Sequence, residues 1–152
     1  LTWDKYDPCC CTPLFDAIGK TVKKIKKDTK DIEDAAVLVT IITDGYENSS
    51  KEWTGPMVKK LIDECKEEGW MFSFIGAGED VVKVATTISI TNTVVWEQTS
   101  EGTAAMFENE NQARNRFYDK MAAPCCGAPM SLEERKAMKR RLAEEYYDED
   151  KK

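Results

Sequence analysis

The sequence contains no histidine among its 152 residues. Histidine is the usual general base at neutral pH and a common zinc ligand, so its absence argues against most hydrolytic schemes and against common zinc sites. Two motifs of α/β enzymes are also missing, the glycine-rich P-loop and the Gly-x-Ser-x-Gly turn. These absences favour a binding protein over an enzyme.

Long apolar runs are missing as well. The longest, from Ala35 to Ile42, has the length of a strand, whereas a transmembrane helix needs about 20 residues. A net charge of −6 argues against nonspecific binding to nucleic acid or to an anionic membrane. We therefore expect no nucleic-acid partner and no membrane insertion. No signal peptide is visible, which leaves the compartment open and slightly favours the cytoplasm.

The six cysteines are unevenly placed, with Cys65 alone and two short runs, Cys9–Cys11 and Cys125–Cys126. A disulfide-rich scaffold usually spreads its cysteines, and a zinc knuckle needs at least two residues between paired ligands. Free thiols, disulfide or interchain pairing, and a zinc site all remain as alternatives. The spacing favours free thiols.

Hydrophobic periodicity predicts alternating helices and strands. A hydroxyl cap at Thr12 and a proline at the first helical position predict a helix that runs past Ile25. The unbroken apolar run Ala35–Ile42 predicts a parallel strand covered by helices on both faces. The pattern then predicts a helix over 56–69, a strand over 70–75, a short helix through 81–88, a strand over 93–97, and a helix over 102–120 with Ala105, Met106, Ala113 and Phe117 facing inward.

The predicted fold class is α/β, with a doubly wound, mainly parallel open sheet and a C-terminal helix. Residues 1–120 would form the main unit. Residues 121–130, which hold two prolines and a glycine, would form a linker. Residues 131–152 would form an amphipathic helix with a polar tail, opening on a capping box from Ser131 to Glu134. Its apolar stripe would dock either on the same chain or on a partner.

Asp44 is the most informative residue, because open α/β sheets bind ligands above the carboxyl ends of their strands. A hard cation such as Mg²⁺ takes oxygen ligands and retains several waters, so hydroxyls with one or two carboxylates suffice. Thr12 could supply such a hydroxyl. The simpler roles are a helix cap for Thr12 and a turn residue for Asp44.

Two segments resemble von Willebrand factor type A-like domains. The segment TPLFDAI at Thr12–Ile18 is similar to their Thr-Pro-Leu-Tyr-Asp-Ala stretch, and VTIITDG at Val39–Gly45 is similar to their fourth-strand motif. The resemblance runs from about Tyr6 to about Phe107. It implies a Rossmann-like fold with a metal ion-dependent adhesion site for Mg²⁺, or for Mn²⁺ or Ca²⁺.

By this resemblance, Thr12 is the threonine ligand of the metal and Asp44 the aspartate ligand, often acting through a bound water. Asp16 is expected to face the same loop and to orient Thr12. Glu47 and Asn48 either rim the site or belong to an exposed loop.

The remaining ligands of the family lie in an Asp-x-Ser-x-Ser motif at the end of the first strand, and this motif does not occur in the sequence. Because the first matched segment lies close to Leu1, we expect a chain truncated at its N-terminus. Two ligands alone rarely retain hydrated Mg²⁺, so metal is expected in the completed domain. Unpaired strand edges would favour aggregation or pairing with another chain.

The function implied by the resemblance is metal-dependent protein binding without turnover. A cation held mainly by neutral hydroxyls keeps much of its charge, and an acidic side chain of a protein partner completes its coordination shell. A metal-independent scaffold or regulatory half-domain is the alternative. A metal-assisted hydrolase using Asp44 is less favoured.

Overall fold

The computed structural model describes residues 11–122 and 130–147, and its centre is a sheet of three parallel strands in the order β1-β2-β3. The strands are β1 (Leu38–Thr43), β2 (Met71–Gly76) and β3 (Asn92–Val95). The helices of the described part are α1 (Leu14–Asp28), α2 (Gly55–Glu67), α3 (Glu79–Thr87), α4 (Ser100–Ala122) and α5 (Leu132–Glu144).

Helices pack on both faces of the sheet. In β1, Val39 and Ile41 point into a hydrophobic cluster shared with α1, α2 and α3. Leu38 points the other way, as does Met71, its partner in the β1–β2 register, and both join a second cluster with α4 and α5. The expected α/β arrangement with a parallel open sheet is therefore confirmed.

The expectation that β1 is covered on both faces is wrong at its carboxyl end. Ile42 is 43% exposed although it lies in the middle of an apolar run. Among the described strands β1 has a neighbour on one side only. Ile42 lies on the same face of β1 as Leu38 but does not join the second cluster, so the helices on that side do not cover the carboxyl end of the strand. The strand also begins three residues later than the apolar run that predicted it.

The inward face of α4 differs from its prediction at two positions. Ala105 is exposed, which makes its predicted inward placement wrong. The buried stripe follows Met106, Glu110, Ala113 and Phe117, whose three- and four-residue spacing leaves Ala105 to one side. A carboxylate therefore occupies a core position.

Helix α5 docks on its own chain. The predicted capping box is present: the Ser131 hydroxyl accepts from the Glu134 N–H, and the Glu134 carboxylate accepts from the Ser131 N–H at 2.7 Å. Leu142 of α5 is buried in the second cluster together with Tyr146 and Tyr147, which follow the helix. Because α4 continues through Ala122, the first two residues of the expected linker are helical; 123–129 and the tail 148–152 lie outside the described residues.

Candidate metal centre at the carboxyl edge of the sheet

Asp44 follows β1 directly and is exposed at the carboxyl edge of the sheet. The turn after the strand is held by its neighbour, because the Thr43 hydroxyl donates to the Gly45 carbonyl at 3.0 Å and accepts from the Gly45 N–H at 3.2 Å. Asp44 itself forms no hydrogen bond or ion pair with another residue of the described part. Its carboxylate is thus free of a structural role in this turn.

Thr12 lies against the same turn. A Cβ atom built on Gly45 would fall only 2.9 Å from Thr12 Oγ1, so glycine is needed at this position for the threonine side chain to approach. The fold therefore brings the two predicted metal ligands, Thr12 and Asp44, to one edge of the sheet although they are far apart in sequence.

Thr12 does not cap α1, and that prediction is wrong. The helix begins at Leu14, Pro13 occupies the capping position, and no side chain of the N-cap residue accepts a hydrogen bond. The first free amides of α1 are instead satisfied by the loop that follows β1. Glu47 accepts from the Phe15 N–H at 2.7 Å, and the Ser50 hydroxyl accepts from the Asp16 N–H at 3.0 Å.

The backbone of Thr12 is held at two points by Asn48. The Thr12 N–H donates to the Asn48 side-chain oxygen at 2.7 Å, and the Asn48 N–H donates to the Thr12 carbonyl at 3.2 Å. Both hydrogen bonds use main-chain atoms of Thr12, so its hydroxyl is not consumed by them. Asn48 itself is exposed.

Glu47 is a half-buried brace within this loop. Besides the Phe15 N–H, its carboxylate accepts from the N–H groups of Ser49 and Ser50 at 2.9 and 2.8 Å and from the Ser50 hydroxyl at 2.7 Å. Burial raises the pKa of Glu47, but the N–H donors of Phe15 and Ser50 outweigh it and hold the pKa below its ordinary value. The sequence pattern placed Glu47 at the rim of the site or in an exposed loop. It did not predict that the Glu47 carboxylate holds the loop together by accepting these hydrogen bonds.

Asp16 braces α1 in a similar way. Its carboxylate accepts from the N–H groups of Lys51, Glu52 and Trp53 at 3.0, 3.0 and 2.8 Å. The Lys51 N–H is the largest cause of its lowered pKa, which burial opposes and the other two N–H donors reinforce. Among the described residues, the hydrogen bonds of Asp16 lead to this segment and not to Thr12, so any influence on Thr12 passes through α1.

Thr12 and Asp44 are hard oxygen donors of the kind that Mg²⁺ takes, and they fit it in chemical type. They do not form a complete cage, because no group of three or more His, Cys, Asp or Glu side chains within 11–122 and 130–147 could hold a metal ion. Cysteine offers no substitute here: Cys65 is buried, and burial raises its pKa to about 11. Cys11 is an exposed free thiol, and the other cysteines lie outside the described residues.

No protein-family model, curated protein or solved structure matches this chain. None of the described helices is long and apolar enough to cross a membrane. The geometry at the carboxyl edge of the sheet and the two short sequence motifs therefore carry the functional argument.

Proposed function

We propose that this chain forms part of a von Willebrand factor type A-like module that binds a protein partner through a metal ion. One observation carries the proposal. Thr12 and Asp44, the two residues expected to bind metal, lie at the same turn; Thr12 does not cap α1, and the Asp44 side chain has no hydrogen bond or ion pair within the described residues. The exposed Asp44 carboxylate and the hydroxyl of the half-buried Thr12 have no partner among the described residues, so both are available to a ligand.

We expect the remaining metal ligands to lie along the edge of β1 that has no strand neighbour among the described residues. A further parallel strand placed along this edge would end beside Asp44, because the carboxyl ends of parallel strands meet at one edge of a sheet. The sequence contains no Asp-x-Ser-x-Ser motif. We therefore expect that motif, and the strand that carries it, to be supplied by another polypeptide segment.

The proposed ligand set favours an acidic partner once a cation is bound. When bound, Mg²⁺ supplies an open coordination position with positive charge. Thr12 contributes a neutral hydroxyl, and the nearby carboxylates of Asp16 and Glu47 are already engaged by backbone N–H groups. Asp44 is then the acidic ligand that this chain contributes, which leaves much of the cation's charge for an acidic side chain of the partner.

A metal-independent scaffold or regulatory half-domain is a second candidate, favoured by the incompletely covered β1. The unpaired strand edge and the exposed Ile42 would then be the binding surface, with no role for Thr12 or Asp44. The two candidates differ in their response to metal.

Paramagnetic broadening by Mn²⁺ tests the proposal on the chain itself. We expect Mn²⁺ to broaden first the amide NMR signals of Thr12, Asp44 and Gly45, because broadening detects weak binding close to each amide. The variants Asp44→Ala and Thr12→Val should lose this local effect. Addition of a peptide that contains Asp-x-Ser-x-Ser should strengthen it.

Asp28→Ala is the matched control, because Asp28 is an exposed carboxylate at the opposite end of α1. This variant should bind Mn²⁺ like the wild type. Broadening spread evenly over the acidic surface, or broadening at Gly45 that survives in Asp44→Ala, would contradict the proposed metal site.

A further inference from the structure

We infer that Asn48 is the positioning residue that sets the Thr12 hydroxyl against the turn of Asp44 and Gly45, an inference that rests on the proposed function. Asn48 holds the N–H and the carbonyl of Thr12 at 2.7 and 3.2 Å. Two hydrogen bonds on either side of one Cα fix the direction of its Cα–Cβ bond. The position of the threonine side chain is thereby set by Asn48.

The local sequence fixes Thr12 only in part, through the Leu14 N–H, which donates to the Thr12 carbonyl at 2.9 Å. Pro13 has no N–H to donate, and it does not cap α1 through a side-chain hydrogen bond. The residue before a proline is also kept out of the helical region of backbone conformation, so Thr12 cannot be held as part of α1. The Thr12 N–H has no local acceptor among the described residues, and the Asn48 side chain supplies one.

Glu47 and Asn48 are neighbours in the loop but stabilise different parts of the structure. Glu47 satisfies the Phe15 N–H and the loop's own amides, so it stabilises the start of α1. Asn48 contacts Thr12 through both its side chain and its backbone, and it is exposed, so it contributes little to the core. A change at Asn48 should therefore disturb the site more than the fold.

The loop that bears Asn48 begins at Asp44. One short segment thus carries the aspartate and also holds the threonine, with Gly45 lying between them against the Thr12 side chain. The relative position of the two oxygen donors depends on this segment, whose conformation is fixed in turn by the Glu47 carboxylate. Thr12 and Asp44 should consequently move together.

Asn48→Ala and Asn48→Asp test this role. Alanine removes the acceptor for the Thr12 N–H, whereas aspartate keeps an oxygen at the same place. In Asn48→Ala we expect faster hydrogen exchange of the Thr12 amide, loss of the nuclear Overhauser effect between the Thr12 methyl group and the Gly45 Hα, and Mn²⁺ binding weakened about 10-fold or more. Asn48→Asp should restore all three.

Asn92→Ala is the control for a general loss of stability. The Asn92 side chain donates to the carbonyls of Phe72 and Ala143 at 3.2 and 2.7 Å, close to α5 and away from β1's carboxyl end. Its removal should lower the melting temperature without altering the Thr12–Gly45 signal or the Mn²⁺ response.

These experiments distinguish a failure of the positioning role of Asn48 from a failure of the proposed metal site. If the Thr12 amide and the Thr12–Gly45 signal are unchanged in Asn48→Ala, the positioning role is overturned, whatever Mn²⁺ does. If Mn²⁺ fails to broaden Thr12 and Asp44 in the wild type, the proposed metal site is contradicted, and the exchange and Overhauser measurements still decide whether Asn48 sets Thr12 against the turn.

Discussion

Glu110 is the buried carboxylate of α4, and it is only 3% exposed. One of its oxygens accepts from the hydroxyls of Thr40 and Tyr146 at 2.6 and 3.1 Å, and the other accepts from the Tyr147 hydroxyl at 2.5 Å. Arg114 adds a charged partner at 3.2 Å. A buried carboxylate is tolerated only when it is paired and hydrogen-bonded. Here the sheet, α4 and the C-terminal segment supply the partners.

The hydroxyls of Tyr146 and Tyr147 stay protonated and can therefore donate hydrogen bonds. Burial is the largest cause of the raised pKa of Tyr146 and of Tyr147, and the Glu110 carboxylate raises both further. Neither hydroxyl ionises in the ordinary pH range, so both remain donors to Glu110.

Glu110→Ala should lower the free energy of unfolding by about 3–5 kcal/mol, because it leaves the hydroxyl donors of Thr40, Tyr146 and Tyr147 without their acceptor. Urea unfolding followed by circular dichroism would measure the loss. Glu108→Ala, an exposed change on the same helix, is the control and should cost far less. Equal effects of the two changes would contradict this account of Glu110.

The sequence predicted three of the four inward residues of α4 but not Glu110. A lone carboxylate in an apolar stripe is usually exposed, and the donors to Glu110 include residues distant in sequence, such as Thr40 and Tyr147. Periodicity reports which face of a helix is apolar. It does not report a polar partner on another element.

At the scale of elements, α5 is joined to the turn before β1 by a buried lysine. Lys139 is 2% exposed, and its ammonium group donates to the carbonyls of Asp34 and Ala35 at 3.0 and 2.9 Å. It also pairs with the Asp34 carboxylate at 2.5 Å, and Arg135 pairs with the second oxygen of that carboxylate. The basic run 139–141 is therefore partly internal and is not simply a solvated helix face.

Stability should fall on acidification through Asp34. Burial raises the pKa of Asp34, but the hydrogen bond and charge of Lys139 and the charge of Arg135 outweigh it, so the folded pKa lies below the ordinary value of 3.8. A group with a lowered folded pKa contributes stability above its unfolded pKa, and that contribution is lost as the pH falls through the folded value. The loss should begin below about pH 4.

Lys139→Met should flatten this acid dependence, because Asp34 loses the partner that does most to lower its pKa. Melting temperatures measured from pH 7 down to pH 2 would show it. Lys136→Met is the control on the same helix, since Lys136 pairs with Glu133 and not with Asp34. Parallel curves for the wild type and Lys139→Met would rule out this contribution of Asp34.

The number and order of the elements could be predicted within the described residues, because α1, α2 and α3 are amphipathic, β1 and β2 are apolar runs, and α5 opens on a capping box. The boundaries that were wrong have nonlocal causes. The start of α1 is fixed by Glu47 and Ser50, and Ile42 is exposed because the helices on its face of the sheet do not reach it. The meeting of Thr12 with the Asp44 turn was expected from the family resemblance, whereas the Asn48 contacts had no signal in the sequence beyond proximity to Asp44.

At the scale of the whole molecule, β1 is an edge strand of the described sheet, and it lacks the features that commonly block such an edge. Its sequence, LVTIIT, contains no lysine, proline or glycine, and Ile42 is exposed. Natural edge strands are commonly blunted by charge, proline or a bulge, because a bare edge pairs with other chains. We therefore expect this edge of β1 to pair with other chains.

We expect the chain to self-associate as its concentration rises, and Ile42→Lys should shift the onset to concentrations several-fold higher by placing a charge on that strand. Size-exclusion chromatography with light scattering would measure this. Ile32→Lys is the matched control, because Ile32 is 58% exposed but lies before β1. An identical shift in both variants would attribute the effect to net charge and contradict pairing through β1.

The first amides of α1 are capped by residues distant in sequence, and this affects the order in which the chain folds. The N–H groups of Phe15 and Asp16 find their acceptors 32 and 34 residues further along the chain. Until the intervening loop closes, these amides have no acceptor, so the first turn of the helix frays. Closing a loop also costs entropy. The first turn of α1 should therefore be among the last parts of the chain to become ordered, after β1 has joined the sheet and its following loop has formed.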